Sequence, residues 1–238
     1  MHPMGTRLEL AMLLKHPARS DPWSRRRLLG AALGLSTGVL AGSMLRPELA
    51  LAAQCLRTPA QGEGPYYPPA FGMPGADLRV AGADGTAPQG EPIVLLGRVS
   101  DAQCRPITGA VVEIWQADAN GRYAHPNDSR PGQRDQLFRY WGRAVTDAQG
   151  SYRFRTIRPA PYKTGWSWRA PHVHFKVRPP GAGVLTTQMY FAGHELNEKD
   201  YLVRSVPEQQ RAALIIAPQA PESAADGRAA FRFDIALA

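Results

Sequence analysis

The sequence predicts an all-β domain, an antiparallel β-sandwich with long loops and little helix, and three observations carry that prediction. Short apolar runs rich in β-branched and aromatic residues recur along the C-terminal part of the chain. Turn signals separate them, and helix-forming stretches are scarce. The runs are Ile93 to Val99, Ala110 to Gln116, Arg139 to Thr146, Tyr152 to Ile157, His172 to Val177, Thr186 to Phe191 and Phe231 to Leu237. Punctuation falls at Asn120-Gly121, at Asp147-Ala148-Gln149-Gly150 and at Pro179-Pro180-Gly181. One helix is expected from Pro207 through Ile215. Proline sits at an early position where its missing donor is tolerated, and Pro218 ends the helix. The Ala-rich stretch Ala217 to Ala230 reads as a loop into the last strand.

The chain has 238 residues, and residues 1–53 read as an export leader rather than as part of the fold. Arg25-Arg26-Arg27 precedes the apolar run Gly30 to Leu45, and Ala50-Leu51-Ala52 supplies small residues around a cleavage site. Twin arginines before such a run mark a Tat signal, so the protein is expected to be periplasmic or secreted. The run is short for a membrane span and is broken by four glycines, so no stable span is expected after processing. Residues 54–90, rich in Pro and Gly, form an extended arm around Glu63-Gly64-Pro65-Tyr66-Tyr67, and residues 91–238 form the sandwich.

The leader holds seven of the 28 Lys and Arg and three of the 20 acids, which leaves the remainder with 21 against 17, a charge of +4. No basic run or basic helix accompanies this mild excess, and nucleic-acid binding is not expected. Cys55 and Cys104 are the only cysteines, and in an exported protein they are expected to form a disulfide.

The residues that carry chemistry are Tyr123, Tyr162, His172, His174 and Arg169. On a strand, His172-Val173-His174 places both imidazoles on one face, because side chains alternate with period two. Phenolate oxygen is a hard anionic donor, and two phenolates with two imidazoles favour Fe(III). Taken singly each residue has an ordinary account: a tyrosine after a turn, a tyrosine stacked on prolines, a histidine pair in a core.

The surrounding motifs remove that ambiguity. Gly109-Ala110-Val111-Val112-Glu113-Ile114-Trp115-Gln116 with Asp118-Ala119-Asn120-Gly121-Arg122-Tyr123, then Gly142 to Asp147, Tyr152 to Pro159, Trp168 to Phe175, Thr187 to Phe191 and Phe231 to Ile235, resemble the intradiol ring-cleavage dioxygenase family in the same order. The motifs especially resemble the iron-binding (beta) subunit of protocatechuate 3,4-dioxygenases. The resemblance implies a prealbumin-like sandwich, a non-haem Fe(III) cofactor, and cleavage of a catechol-type ring by O2 between its hydroxylated carbons to give a muconate-type diacid. It makes Tyr123, Tyr162, His172 and His174 the metal ligands, with Tyr162 the one displaced by substrate. Arg169 is placed at the substrate ring, and Gln188 is a catalytic or supporting contact.

Tyr66, Tyr67 and Trp166 are candidates for the substrate pocket, and a protocatechuate-like catechol is the expected substrate. Two departures from the family affect the pocket: Lys163-Thr164-Gly165-Trp166-Ser167-Trp168 is short and lacks Pro-Trp after the tyrosine. The Gly-Pro-aromatic arm shares one chain with all four ligands, so a different partner subunit is not expected. Without a long N-terminal helical region of the kind through which catechol 1,2-dioxygenases dimerise, a homo-oligomer would use the sandwich or the arm. The alternative from another class is a secreted transthyretin-like binding module without metal. A hydrolytic metal enzyme using the two histidines leaves the tyrosines unexplained.

Overall fold

The computed structural model describes residues 55–69, 75–181, 183–219 and 228–237. The twin-arginine leader expected over residues 1–53 lies outside the described residues, as does most of the expected loop from Ala217 to Ala230. Eleven strands form among the described residues: β1 (Pro92–Ser100), β2 (Val111–Gln116), β3 (Trp141–Val145), β4 (Ser151–Ile157), β5 (Tyr162–Thr164), β6 (Ser167–Arg169), β7 (His172–Arg178), β8 (Leu185–Phe191), β9 (Ile215–Ile216), β10 (Ala229–Arg232) and β11 (Ile235–Ala236).

Two sheets make the sandwich. In the first, β1 pairs antiparallel with β4 along one edge and parallel with β10 and then β11 along the other. The second runs β3-β2-β7-β8-β9, antiparallel except for the short β8–β9 pair. The core lies between the sheets. Ile93, Leu95, Phe154 and Phe233 from one side meet Val112, Ile114, Val173 and Phe175 from the other, all fully buried. Phe175 packs edge-on against Phe233, and Phe191 against Phe231, each about 5 Å between ring centroids.

The expected last strand, Phe231 to Leu237, is instead two strands. Phe233 still donates its backbone N–H to the Leu96 carbonyl, but the Asp234 carboxylate accepts from the Arg98 backbone N–H, which interrupts the run of backbone pairing with β1. Gly97 permits this close approach, since a Cβ there would stand 2.0 Å from the Phe233 carbonyl oxygen. The expected helix from Pro207 to Ile215 is reduced to α2 (Glu208–Arg211), because Ile215 and Ile216 pair with Tyr190 and Phe191 and bury apolar surface as strand β9. A 3-10 turn at Glu195–Glu198 and α1 (Tyr201–Arg204) precede it, neither expected from the sequence. None of the described helices is long and apolar enough to cross a membrane.

The arm is stitched to the sandwich rather than standing free. Leu78 is fully buried and exchanges backbone hydrogen bonds with Arg155 and Arg139. Cys55 and Cys104 form a disulfide across 49 residues of chain. Closing a loop of that length restricts the unfolded chain, so Cys55→Ser with Cys104→Ser is expected to cost about 2–5 kcal/mol and lower the melting temperature by about 5–15 °C. A thermal melt with and without reductant checks this; equal midpoints would show that the bridge is dispensable.

Candidate metal centre

Alternation along β7 decides where the centre forms. Val173, Phe175 and Val177 point into the sandwich, so His172, His174, Lys176 and Arg178 lie on the opposite face of the second sheet. Register brings their neighbours to the same face: Trp115 and Gln188 flank His174, and Tyr190 stands beside His172. The His174 ring stacks on Trp115 at 4.7 Å with 10° between the planes.

Tyr123 follows a turn built around Asp118. One carboxylate oxygen of Asp118 accepts from the backbone of Asn120 and Arg122, and the other from the Asp135 backbone and the Tyr140 hydroxyl. Asp128 then accepts the Tyr123 backbone N–H at 2.7 Å. Gly121 lies at φ 73°, and a Cβ there would stand 2.8 Å from the Pro161 carbonyl oxygen, so glycine lets the two tyrosine-bearing segments approach. Tyr162 opens the β5–β6 hairpin, directly across from Arg169. The two phenol rings meet edge to face at 5.5 Å.

Four donors therefore converge. Nε2 of His172 lies 3.2 Å from Nε2 of His174 and 3.5 Å from the Tyr162 hydroxyl. The Tyr123 hydroxyl is buried without a hydrogen-bond partner. Nδ1 of His172 lies 2.5 Å from the Ala170 carbonyl, which fixes that nitrogen as the donor and leaves the Nε2 lone pair facing the cluster. Burial, with Arg169 nearby, pushes both imidazoles well below their ordinary pKa and holds them neutral. Burial raises both phenols: Tyr123 well above its ordinary value, with Tyr162 adding to the effect, and Tyr162 to about 12, with Arg169 acting in the opposite direction.

Two neutral imidazoles with nitrogens 3.2 Å apart and an orphaned buried phenol fit a cation, which would satisfy the lone pairs and draw off the phenol protons. Among the described residues no group of three or more His, Cys, Asp or Glu could hold a metal, so a site built from those ligands alone has no support.

Arg169 is 4% exposed and is held by three neighbours. It pairs with Asp200 at 2.9 Å, donates to the Gln188 amide oxygen at 2.6 Å, and lies 3.4 Å from the Tyr190 hydroxyl. Burial opposes its charge, but Tyr162, Tyr190 and Asp200 keep its pKa above the ordinary value. Gln188 thus bridges Arg169 to the arm, donating to the Gly62 carbonyl at 2.9 Å. The arm roofs the donors: Tyr66 stacks on Tyr123 at 4.5 Å, and Tyr67 meets Trp115 edge-on at 4.9 Å. The Tyr67 hydroxyl reaches Arg178 and Glu113, and Lys176 pairs with Glu63.

Of the residues predicted from sequence, Tyr66, Tyr67, Tyr123, Tyr162, Arg169, His172, His174 and Gln188 are brought to this face. Trp166 is not. It is 99% exposed at the hairpin tip, because the short β5–β6 connection turns at Gly165 and projects the indole outward. Sequence reasoning missed Asp200, Trp115, Tyr190 and Arg130, whose guanidinium lies 4.3 Å over the Tyr162 ring. Period-two alternation would have found Trp115 and Tyr190. Asp200 offers only a helix-capping signal.

A family model described as "Dioxygenase" matches residues 62–238. A protocatechuate 3,4-dioxygenase beta chain of Burkholderia cepacia is 41% identical over 155 residues, covering 63% of this chain and 66% of the relative. A chlorocatechol 1,2-dioxygenase of a Pseudomonas species is 38% identical over 154 residues, covering 58% and 57%. The chain thus spans between about half and two thirds of the length of these curated relatives. Among solved structures, the dioxygenase domain of a dioxygenase and carbohydrate-binding protein fusion from the cellulolytic bacterium Streptomyces sp. SirexAA-E aligns with a TM-score of 0.58 at 32% identity. That alignment covers 76% of this chain and 97% of that one. The match over residues 62–238 takes in the arm from Gly62 onward, both tyrosines and both histidines, and the chain belongs to the intradiol ring-cleavage dioxygenase family.

Proposed function

We propose that the protein is a non-haem iron dioxygenase that cleaves a catechol-type ring with O2 between its two hydroxylated carbons, giving a muconate-type diacid. The convergence of Tyr123, Tyr162, His172 and His174 carries this reading, with the His172 and His174 nitrogens 3.2 Å apart. These four residues would hold Fe(III), which supplies Lewis acidity toward the two catechol oxygens and the redox coupling that lets the ring react with O2.

The chain's own residues do the remaining work. Tyr162 is a candidate base: burial disfavours its charged form, so its phenolate, where present, would take a proton from a catechol hydroxyl and hold it. Arg169 sets a fixed cation beside it, held by Asp200 and Gln188, where negative charge on the substrate is stabilised. Tyr66 and Tyr67 cover Tyr123 and Trp115 and limit water around the donors.

The relative named as a protocatechuate dioxygenase supports a protocatechuate-like substrate, a catechol carrying a carboxylate. The twin-arginine leader and the Cys55–Cys104 bridge support an exported form in which residues 54–90 and 91–238 remain, without a membrane span. The arm and all four donors lie on one chain, which supports a homo-oligomer over an assembly that needs a different subunit to complete the site. A metal-free binding module finds no support in relatives that are named dioxygenases.

Protein purified with iron is expected to be burgundy from phenolate-to-Fe(III) charge transfer, and to consume O2 with catechol, protocatechuate, hydroxyquinol or larger catechols. Tyr162→Phe is expected to shift the visible band and slow turnover by about 100-fold or more, as removal of a general base does. Iron-replete protein without visible colour would overturn the assignment.

A further inference from the structure

Besides Arg169, a second arginine bears on the donor cluster. The guanidinium carbon of Arg130 stands 4.3 Å over the centre of the Tyr162 ring and 5.6 Å over that of Tyr66. Tyr66 in turn stacks on Tyr123 at 4.5 Å, and the Tyr123 and Tyr162 rings meet edge to face at 5.5 Å. These four side chains close a circuit of contacts in which one cation joins the arm to both phenol-bearing segments.

A guanidinium on a flexible stem positions a neighbour only if it is itself fixed, and Asp128 fixes this one. Its fully buried carboxylate accepts from Arg130 Nε at 2.8 Å and from Nη2 at 2.6 Å, the two parallel bonds of a bidentate pair. The same carboxylate accepts the Tyr123 backbone N–H at 2.7 Å and Arg122 Nε at 3.3 Å. One anion therefore ties down the backbone of Tyr123 and, through Arg130, the ring of Tyr162. The Arg130 side chain is 21% exposed, so solvent screens its charge only in part. Burial raises both phenols, and Arg130 joins Arg169 in acting against that rise.

The geometry points to Arg130 as a positioning residue: anchored by Asp128, it holds the Tyr162 ring by its face and so sets how that phenol is presented to a metal beside Tyr123. The inference rests on the reading of Tyr123 and Tyr162 as iron ligands. Arg130 acts through Tyr162 and not on the substrate. A cation over the ring face lowers the energy of the phenolate electrons, so moving one of them toward Fe(III) takes more energy than it would without the arginine. The contact also gives the Tyr162 ring one preferred place, to which it returns between turnovers.

The test uses Arg130→Gln, which removes the cation but leaves an amide that can still donate to Asp128, and Arg130→Lys, which keeps a cation but not the bidentate pair. Iron-loaded Arg130→Gln is expected to keep its iron and to absorb at longer wavelength than the wild type. Its kcat with plain catechol is expected to fall about 2- to 30-fold, the range that a cation–π contact is worth. Arg130→Lys is expected to bring the band most of the way back and to recover most of the turnover. A role confined to stability would lower the melting temperature of both variants and leave the band in place, and that result would sink the inference. So would a loss seen only with carboxylated catechols and an unmoved band, as a direct substrate contact gives. Iron-free protein supplies a comparison that needs no metal: the melting shift caused by Arg130→Gln should shrink in a Tyr162→Leu background, where the ring is gone. Equal shifts in the two backgrounds would show that Arg130 does not hold Tyr162. If the wild type takes up no iron, the ligand reading fails, and the iron-free comparison decides the contact alone.

Discussion

Replacing His174 with alanine is expected to abolish iron retention and, with it, ring cleavage, lowering kcat/KM by well over the roughly 10–100-fold that loss of an outer-shell partner produces at metal sites. The imidazole is 2% exposed, stacked on Trp115 and covered by the arm, so its Nε2 has few uses other than the cluster. Its Nδ1 has no hydrogen-bond partner and its Nε2 faces the His172 nitrogen, so in the metal-free chain truncation breaks no strong bond. The variant should therefore fold, losing about 2 kcal/mol or less of packing and leaving a small cavity between Trp115 and the arm. Iron content, the visible band and a melt measured on one preparation separate the two effects. Stoichiometric iron in a folded His174→Ala protein would refute the ligand assignment. Tyr66→Phe is the matched control, since it keeps the stacked ring over Tyr123 and should keep the iron.

Legibility of this fold and site in the sequence followed the range of the forces involved. β7 was readable because alternation is local: two histidines two apart share a face whatever the sheet does next. The hairpin that places Arg169 opposite Tyr162 was not, since strands of three residues are too short to show a period, and the chemistry-bearing pair is joined only by register. Ile215 carries the signature of the end of a helix, but its apolar surface is better buried beside Tyr190 than on an exposed helical turn. Trp166 looked like a pocket residue because aromatic residues near a ligand often are. Only the direction in which the turn projects its side chain puts it in solvent. Asp200 had no signal at all as a site residue, because its partner is 31 positions earlier and nothing local to either residue marks the pair.

That pair gives the largest expected effect on stability. Asp200 is fully buried and its two oxygens do three things: Oδ2 accepts from Arg169 Nε at 2.9 Å and from the Ala170 backbone at 2.8 Å, and Oδ1 caps α1 through Leu202. In Asp200→Asn the side chain keeps its shape and one acceptor oxygen, but Arg169 is left as a buried charge without its counter-ion. Breaking a buried pair in this way costs about 3–5 kcal/mol, mostly the desolvation of the surviving charge, and should lower the melting temperature by about 6–20 °C. Arg169→Met alone leaves the carboxylate unpaired and should be similarly damaging. The double variant removes both charges and should therefore be more stable than the sum of the two losses, by about 1–3 kcal/mol of coupling. Activity separates the structural part from the chemical one: the double variant regains stability but not turnover, because the Arg169 cation is gone from beside Tyr162. Additive melting shifts, or an Asp200→Asn midpoint within about 2 °C of wild type, would show that Arg169 is not held by this carboxylate.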